Sequence, residues 1–335
     1  MKINKHILII DNSNLSYSGE DINGTILRGT ETSLILLAEE FTKKGIKVFF
    51  ATKIDNNKIV RNVNYINKKS INKDIYYDLV IAVSNANLLK NIKSHKKAIF
   101  SVSNQSIEKF IRKGQLVATY LYKPTIVTLC EYQFAKRSFF TSPFGKLNIP
   151  ITVDEKFIHE KIDINFTPPK KAIYNIRSNR NLDKLLDIWI NLIYPKDKEL
   201  EFHVTPNLIQ YSDKLKNHNI FLRTIGNRRE MIDELKNSRV LLYLGHKSDI
   251  FTLTAEEAIK LCVPVITYGI GSLSERVSHG NNGFIAKNSS EFAKYTLDLM
   301  NDNSILKELK TKMFRKRKEV TWSVIADTWI KSFLK

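Results

Sequence analysis

The sequence predicts an α/β protein built from two doubly wound, Rossmann-like domains, and three observations predict it. Short apolar runs alternate with longer amphipathic stretches of helical period. The alternation is interrupted once, near the middle, and then restarts. A length of 335 residues is about two domains' worth of chain. Runs that read as continuous apolar strands between helices imply parallel sheets covered on both faces.

In the first half the candidate strands are His6 to Ile10, Ile46 to Thr52, Asp78 to Val83, Ala98 to Val102 and Thr125 to Cys130. Between the first two, 29-GTETSLILLAEEFTKKG-45 repeats Leu34, Leu37, Ala38 and Phe41 at helical spacing and reaches Gly45 where a helix would stop. That is a β-α-β unit. Prolines and polar residues then break the pattern at 143–157 and 163–171, which we read as the connection between a domain of residues 1–165 and one of residues 166–318. Beyond it come strands at 171–175, 200–205, 220–225, 239–244 and 264–269, with a helix from about Asn181 to Ile193. The last segment, 319–335, places Trp322, Ile325, Ala326, Trp329 and Phe333 on one helical face, which must be buried against something.

Composition narrows the function. With 43% hydrophobic and 26% charged residues the chain is an ordinary globular one, not a disordered or collagen-like one. The apolar runs fall short of the roughly 18–20 residues a membrane-spanning helix needs. The N-terminal apolar stretch is too short for a signal-peptide core and runs into Asp11 and Asn12, so a cytoplasmic protein is expected. Cys130 and Cys262 lie far apart with no metal or disulfide spacing. The net charge of +19 comes mostly from Lys, 40 against 13 Arg, scattered among Asn and Ile. Specific nucleic-acid recognition favours Arg, with its planar fork of donors, so no specific nucleic-acid partner is expected. Lysine-rich stretches such as 312-KMFRKRK-318 predict at most weak peripheral association with anionic lipid at the inner face of the membrane.

The chemistry concentrates in 239-RVLLYLGHKSDIFTLTAEEAIKLCVPVITYGIGSLSERVSHGNNGFIA-286. A strand ends near Leu244, a loop carries Asp249, and a helix beginning near Leu253 carries Glu257, eight residues after Asp249. Helix N-termini attract phosphate and carboxylates accept sugar hydroxyls; a nucleotide sugar offers both groups.

This array resembles the retaining glycosyltransferases of the GT-B fold, of the family-4 (group 1) type. Their signature is an acid, seven residues, Glu-Ala, a Gly-x-Pro-Val-Ile strand, a Gly-Gly-x-x-Glu turn and a Gly-x-x-Gly hairpin. Here it reads Asp249, 250-IFTLTAE-256, Glu257-Ala258, 262-CVPVI-266, 271-GSLSE-275 and 280-GNNGF-284. The chain departs from the signature at Asp249 in place of Glu, Thr252 in place of Gly, and Val263 in place of the Gly before Pro264. The helix start at 28-RGTE-31 is similar to the family's Gly-Gly-x-Glu helix.

The resemblance implies a metal-independent hexosyltransferase that takes a nucleoside diphosphate sugar as donor and a glycan or lipid-linked acceptor, retains anomeric configuration, and serves surface polysaccharide synthesis. It implies that Asp249 contacts the hexose, that Glu257 holds the ribose, and that backbone groups of Phe251, Thr252 and Leu253 meet the sugar and diphosphate, with Gly29, Gly271 and Glu275 near the donor. Arg180 matches the family's phosphate-binding Lys, with Asn181 replacing a Gly and Arg177 as companion. Ser103 and Asn104 stand where relatives carry a His, and the C-terminal helix 319–335 corresponds to the segment that returns to the first domain. Among the remaining residues, His246 is the best-placed histidine, Arg228 is a candidate for the base pocket, and Glu131 and Arg137 are further candidates in the first domain. Two other readings stay open: a non-catalytic sugar-nucleotide or polyanion binder, and a GT-B nucleotide-sugar epimerase, against which the scarcity of histidine counts.

Overall fold

The computed structural model describes residues 5–24, 27–104, 106–141, 143–176, 180–205, 213–224 and 226–335. It is an α/β chain of two units, each built on a parallel sheet. Unit 1 comprises Met1–Thr152 and Val320–Lys335, and unit 2 comprises Val153–Glu319.

The sheet of unit 1 has eight strands: β1 His6–Ile10, β2 Lys47–Thr52, β3 Lys58–Val60, β4 Val63–Asn67, β5 Tyr77–Val83, β6 Ser94–Phe100, β7 Thr125–Thr128 and β8 Lys146–Asn148. Their order is β3-β4-β2-β1-β5-β6-β7-β8, parallel except for the β3–β4 pair at one edge. Ile7, Leu8, Ile9 and Leu79 to Ala82 are fully buried, as continuous apolar strands covered on both faces require. Five strands lie where the sequence predicts them, and β3, β4 and β8 were not expected. β3 and β8 have three residues each, too few to establish a period.

The predicted amphipathic helix runs Gly29–Lys43 and ends ahead of Gly45, whose φ of 81° is a left-handed value suited to glycine. The C-terminal helix Trp322–Phe333 buries the predicted face, Trp322, Ile325, Ala326, Trp329 and Phe333, within unit 1. Trp329 stacks on Phe100 at the end of β6 and on Phe333, and Lys44 pairs with Asp327 at 2.7 Å.

Unit 2 repeats the plan with six parallel strands: β9 Lys171–Asn175, β10 Glu201–Thr205, β11 Ile220–Leu222, β12 Val240–Leu242, β13 Val265–Thr267 and β14 Gly283–Ile285, in the order β11-β10-β9-β12-β13-β14. The predicted helix after β9 runs Leu182–Ile188 and continues as a π turn to Ile193. The Gly280–Gly283 turn does not form a hairpin: it leads into β14, which pairs parallel with β13. Gly283 is fixed there because a Cβ would stand 2.0 Å from the Val265 carbonyl oxygen.

By packing, the chain divides at 152/153 rather than at 165/166. Val153, Phe157 and Ile158 belong to the core of unit 2, so this part of the segment read as connection is structural. Arg317 and Lys310 hold it: the Arg317 guanidinium donates to the carbonyls of Phe157 and Glu160, and Lys310 donates to those of Asp163 and Phe166. Both side chains are buried, so the basic C-terminal stretch presents less charge outward than its sequence suggests. Among the described residues no helix is long and apolar enough to cross a membrane.

Candidate functional site

In a doubly wound sheet, ligands bind beyond the carboxyl ends of the strands where the order reverses direction. In unit 2 that point lies between β9 and β12, which pair directly. The loops leaving these two strands carry Arg180 on one side and Gly245, His246 and Asp249 on the other.

They meet there. Arg180 Nε lies 3.4 Å from Asp249 Oδ1, and Arg180 Nη1 donates to His246 Nδ1 at 2.8 Å. The Ser248 amide also donates to His246 Nδ1, at 3.1 Å, so this nitrogen is the acceptor and Nε2 carries the ring proton. The other oxygen of Asp249 accepts from the Tyr243 hydroxyl. Burial, followed by the charge of Asp249 and this hydrogen bond, pushes the Tyr243 hydroxyl well above the ordinary phenol range. Tyr174 on β9 packs edge-on against Tyr243 with ring centroids 6.2 Å apart. Burial and the Asp249 charge push its hydroxyl up as well. Two buried phenols therefore lie against the Arg180–Asp249 pair, Tyr243 bonding the Asp249 carboxylate and Tyr174 the Arg180 carbonyl at 3.5 Å.

Asn181 explains one departure from the family pattern. Its φ is 62°, a left-handed value that Asn tolerates better than other residues except Gly, and its side chain donates to the Gly245 carbonyl at 2.6 Å, joining the two loops. Thr252 explains another. It is buried, its hydroxyl meets Ser272 Oγ at 2.9 Å, and the Ser272 amide donates to the Asp249 carbonyl at 2.9 Å. The turn at Gly271 thereby holds the loop bearing Asp249.

Gly271 has φ 73°, and a Cβ there would stand 2.4 Å from the His246 carbonyl oxygen and 2.9 Å from that of Asp249. Gly271→Ala is expected to destabilise unit 2 by about 2–4 kcal/mol, through backbone strain and displacement of the loop. Thermal denaturation checks it: a midpoint within a degree of wild type would show that the loop does not depend on this close approach.

Asp249 does not cap the next helix. The helix runs Leu253–Lys260 with Thr252 at its N-cap, and no side chain caps it, so its first-turn N–H groups are not engaged by a capping side chain. Leu253 is partly buried against the core, and the partly exposed Phe251 ring lies 3.8 Å beneath the Arg276 guanidinium.

Glu257 sits at the fifth position of this helix, beyond the first turn, and is partly buried. Its carboxyl is pushed up to about 7, chiefly by burial and further by Asp154, against the opposing charge of Arg228. Arg228 pairs with Asp154 at 2.8 Å. Thus Arg228 does reach a functional candidate, by facing Glu257 together with an acid that lies in the segment read as connection.

Glu275 is exposed in the short helix Leu273–Arg276. Arg177 lies outside the described residues. Gly29, Ser103 and Asn104 lie in unit 1. Gly29 opens its helix, and its carbonyl accepts from Ser33 Oγ at 2.7 Å. The Ser103 carbonyl accepts from Gln133, which also binds Ser101, and the Ser103 hydroxyl takes a bond from Lys109. Asn104 keeps a buried Oδ1 without a partner among the described residues. Burial, with Lys113 and Arg112 nearby, lowers the Lys109 ammonium to about 8. Among the described residues no group of three or more His, Cys, Asp or Glu side chains is arranged to hold a metal ion.

The residues missed by sequence reasoning are Tyr243, Tyr174, Ser272 and Asp154. The tyrosines sit in apolar strand runs where only core packing was visible, and Asp154 is far from Arg228 in the chain.

Comparison with known proteins bears on the same region. The family model for glycosyl transferases group 1 matches residues 206–319. A search of curated protein sequences returns no match. Among solved structures, the chain resembles a glycosyltransferase from Rickettsia africae ESF-5 at 12% identity and TM-score 0.71, over 99% of this chain and 98% of that one. It also resembles Anabaena Alr3699/HepE, solved in complex with UDP-glucose, at 13% identity and TM-score 0.67, over 98% of this chain and 99% of that one. S. aureus TarM, solved with UDP, is similar at 16% identity and TM-score 0.60 over 77% of this chain, which spans 55% of TarM. These likenesses establish the fold: it is GT-B, two Rossmann-like α/β domains.

Proposed function

We propose that the chain is a retaining, metal-independent glycosyltransferase of the group 1, family-4 type, which moves a hexose from a nucleoside diphosphate sugar to a glycan or lipid-linked acceptor, in the cytoplasm and in the service of surface polysaccharide synthesis. The observation that carries this reading is the meeting of Arg180 with His246 and Asp249 at the switch point of unit 2, the latter two inside the segment matched by the group 1 family, next to an uncapped helix start.

In this reading Arg180 and the N–H groups at Leu253–Ala255 neutralise the diphosphate as the bond to the sugar breaks. The acceptor oxygen bonds to the anomeric carbon on the face the diphosphate leaves, and its proton passes to the leaving phosphate oxygen. Asp249, steadied by Tyr243, accepts hexose hydroxyls with its remaining lone pairs. Glu257 accepts the ribose hydroxyls. That UDP-sugar complexes are known for proteins of this fold supports the donor class.

The test is a thermal-shift panel of UDP, GDP, ADP, CMP and their common sugar conjugates at moderate salt with EDTA present. One nucleoside diphosphate at about 100 times its Kd should stabilise the fold by about 2.7 kcal/mol through mass action. No shift from any of them, beside a salt-sensitive shift from heparin, would replace this reading with that of a polyanion binder.

A further inference from the structure

Large apolar side chains are unevenly exposed along this chain. Among the described residues twelve are exposed, and six of them, Ile107, Ile111, Val117, Tyr120, Leu121 and Phe139, fall within residues 107–139. Single exposed apolar residues are ordinary, whereas a contiguous group marks a place where something else binds. These six form such a group. Ile107 and Ile111 share one face of the helix Ile107–Arg112, and Val117, Tyr120 and Leu121 share one face of the helix Leu116–Tyr122, at helical spacing. The opposite faces turn inward, through Phe110 from the first helix and Ala118 and Thr119 from the second. Phe140, next to Phe139, joins the two: its ring meets Phe110 edge-on with centroids 4.8 Å apart, and its carbonyl accepts from the Tyr120 hydroxyl at 3.5 Å. The inner side is thus one small core of Phe110, Ile126 and Phe144, and the outer side is apolar surface.

Charge of one dominant sign surrounds it. The segment brings Lys109, Arg112, Lys113, Lys123, Lys136 and Arg137 against Glu108 and Glu131, and Glu131 already accepts from the Asn148 side-chain amide. Arg112 and Lys113 stand near enough to Lys109 for their charge to add to burial in lowering its ammonium. An occupant that matches this face is therefore anionic and apolar at once. A second copy of the chain would set the same cations against each other. A folded acidic partner would need a shape to receive side chains that project as far as Phe139, 89% exposed, Val117, 78%, and Leu121, 67%, from two separate short helices and a turn. A bilayer yields to projecting side chains, and lysine stems lie along its apolar layer while their ammonium groups stay among the headgroups. The stretch 312–318, where the sequence suggests lipid contact, matches less well: Arg317 is turned inward and Phe314 is its one exposed large apolar side chain.

We infer that residues 107–139 of unit 1 form a membrane-docking surface, in which Ile111, Val117, Leu121 and Phe139 enter the apolar boundary of an anionic bilayer and Arg112, Lys113, Lys123 and Lys136 pair with its headgroup phosphates. The inference stands on unit 1 alone and does not depend on the donor site of unit 2 or on the glycosyltransferase reading.

Vesicle sedimentation of the full chain reads it, with phosphatidylcholine vesicles containing phosphatidylglycerol beside vesicles of phosphatidylcholine alone. Wild type should partition at least about tenfold more strongly onto the anionic vesicles, and less so at high salt. Leu121→Ser combined with Phe139→Ser should weaken that partition by about tenfold or more, since two inserted side chains are lost, and should leave the melting midpoint near wild type because both side chains are exposed. Ile111→Ser combined with Val117→Ser should act in the same direction and serves if the first pair fails to fold. Phe139→Trp separates insertion from adsorption by charge: its fluorescence should be quenched by brominated acyl chains more than that of wild type, whose Trp189, Trp322 and Trp329 are buried. No partition of wild type, unchanged partition of the folded serine variants, or no added quenching in Phe139→Trp overturns the inference. A concentration-dependent dimer that the serine variants abolish, without vesicle binding, would overturn it in favour of a second copy.

Discussion

Arg180→Ala is expected to lower affinity for the nucleoside diphosphate by about 10- to 100-fold, the scale of a lost charge-assisted hydrogen-bond pair, while leaving the thermal midpoint within a few degrees of wild type. The limited effect on stability follows from the surroundings. Asp249 is still held by the Tyr243 hydroxyl, and Asn181 and Ser272 still bridge the loops. Arg180→Lys restores the charge but not the planar fork that reaches Asp249 and His246 together, so affinity should recover only in part. Titration calorimetry with the nucleotide found in the melting panel gives the answer. Equal affinities for wild type and Arg180→Ala would remove Arg180 from the phosphate site and reduce it to a loop brace.

Glu257→Gln should have two separable effects, both set by a carboxyl pushed up to about 7 from its ordinary value of 4.5. The unfolded chain gives up this proton at ordinary carboxylate pH while the folded chain holds it. Native stability therefore declines as pH rises from about 4.5 to about 7 and stays reduced above that. The amide variant never carries this charge, so it should be more stable than wild type at pH 8, by on the order of 2 kcal/mol, and no more stable at pH 4. Binding changes in the opposite sense. If the ionised carboxylate accepts ribose hydroxyls, wild-type nucleotide affinity climbs between pH 6 and pH 8 relative to the variant, and the variant binds more weakly at pH 8. Parallel pH profiles for the two proteins would sink the ribose assignment, and a stability difference independent of pH would sink the raised carboxyl.

The sequence made the central strands of both sheets and the positions of Asp249, Glu257 and Arg180 in the chain legible because each carries a local signal, while β3, β4, β8 and β14, of three to five residues, were not read. An apolar run ends, a turn follows, and a polar residue stands at the start of the next helix. What lay beyond it was mostly partnership. Nothing in 239-RVLLYL-244 distinguishes Tyr243 from its core neighbours, yet its hydroxyl fixes Asp249. Asp154 sits among prolines and short polar runs that read as a connection, and its role appears only when the fold brings Arg228 to it across 74 residues. Arg317 and Lys310 show the same limit for charge, since a basic run in sequence does not reveal which members turn inward to hold carbonyl groups.

The C-terminal helix makes unit 1 discontinuous in sequence, and this sets an order of assembly. A ribosome delivers β1 to β8 first, then all of unit 2, and only afterwards the helix whose Trp329 covers the end of β6. The unit that is begun first is therefore completed last. Until then, Phe100 and its neighbours lack the Trp329 ring that shields them, and a nascent chain has an apolar face open for the time needed to synthesise a whole domain. The entropic cost of bringing so distant a helix back grows only logarithmically with the intervening length, so the finished protein bears little of it. The exposure falls on synthesis instead, where holding factors and the rate of elongation decide how many chains reach the native state.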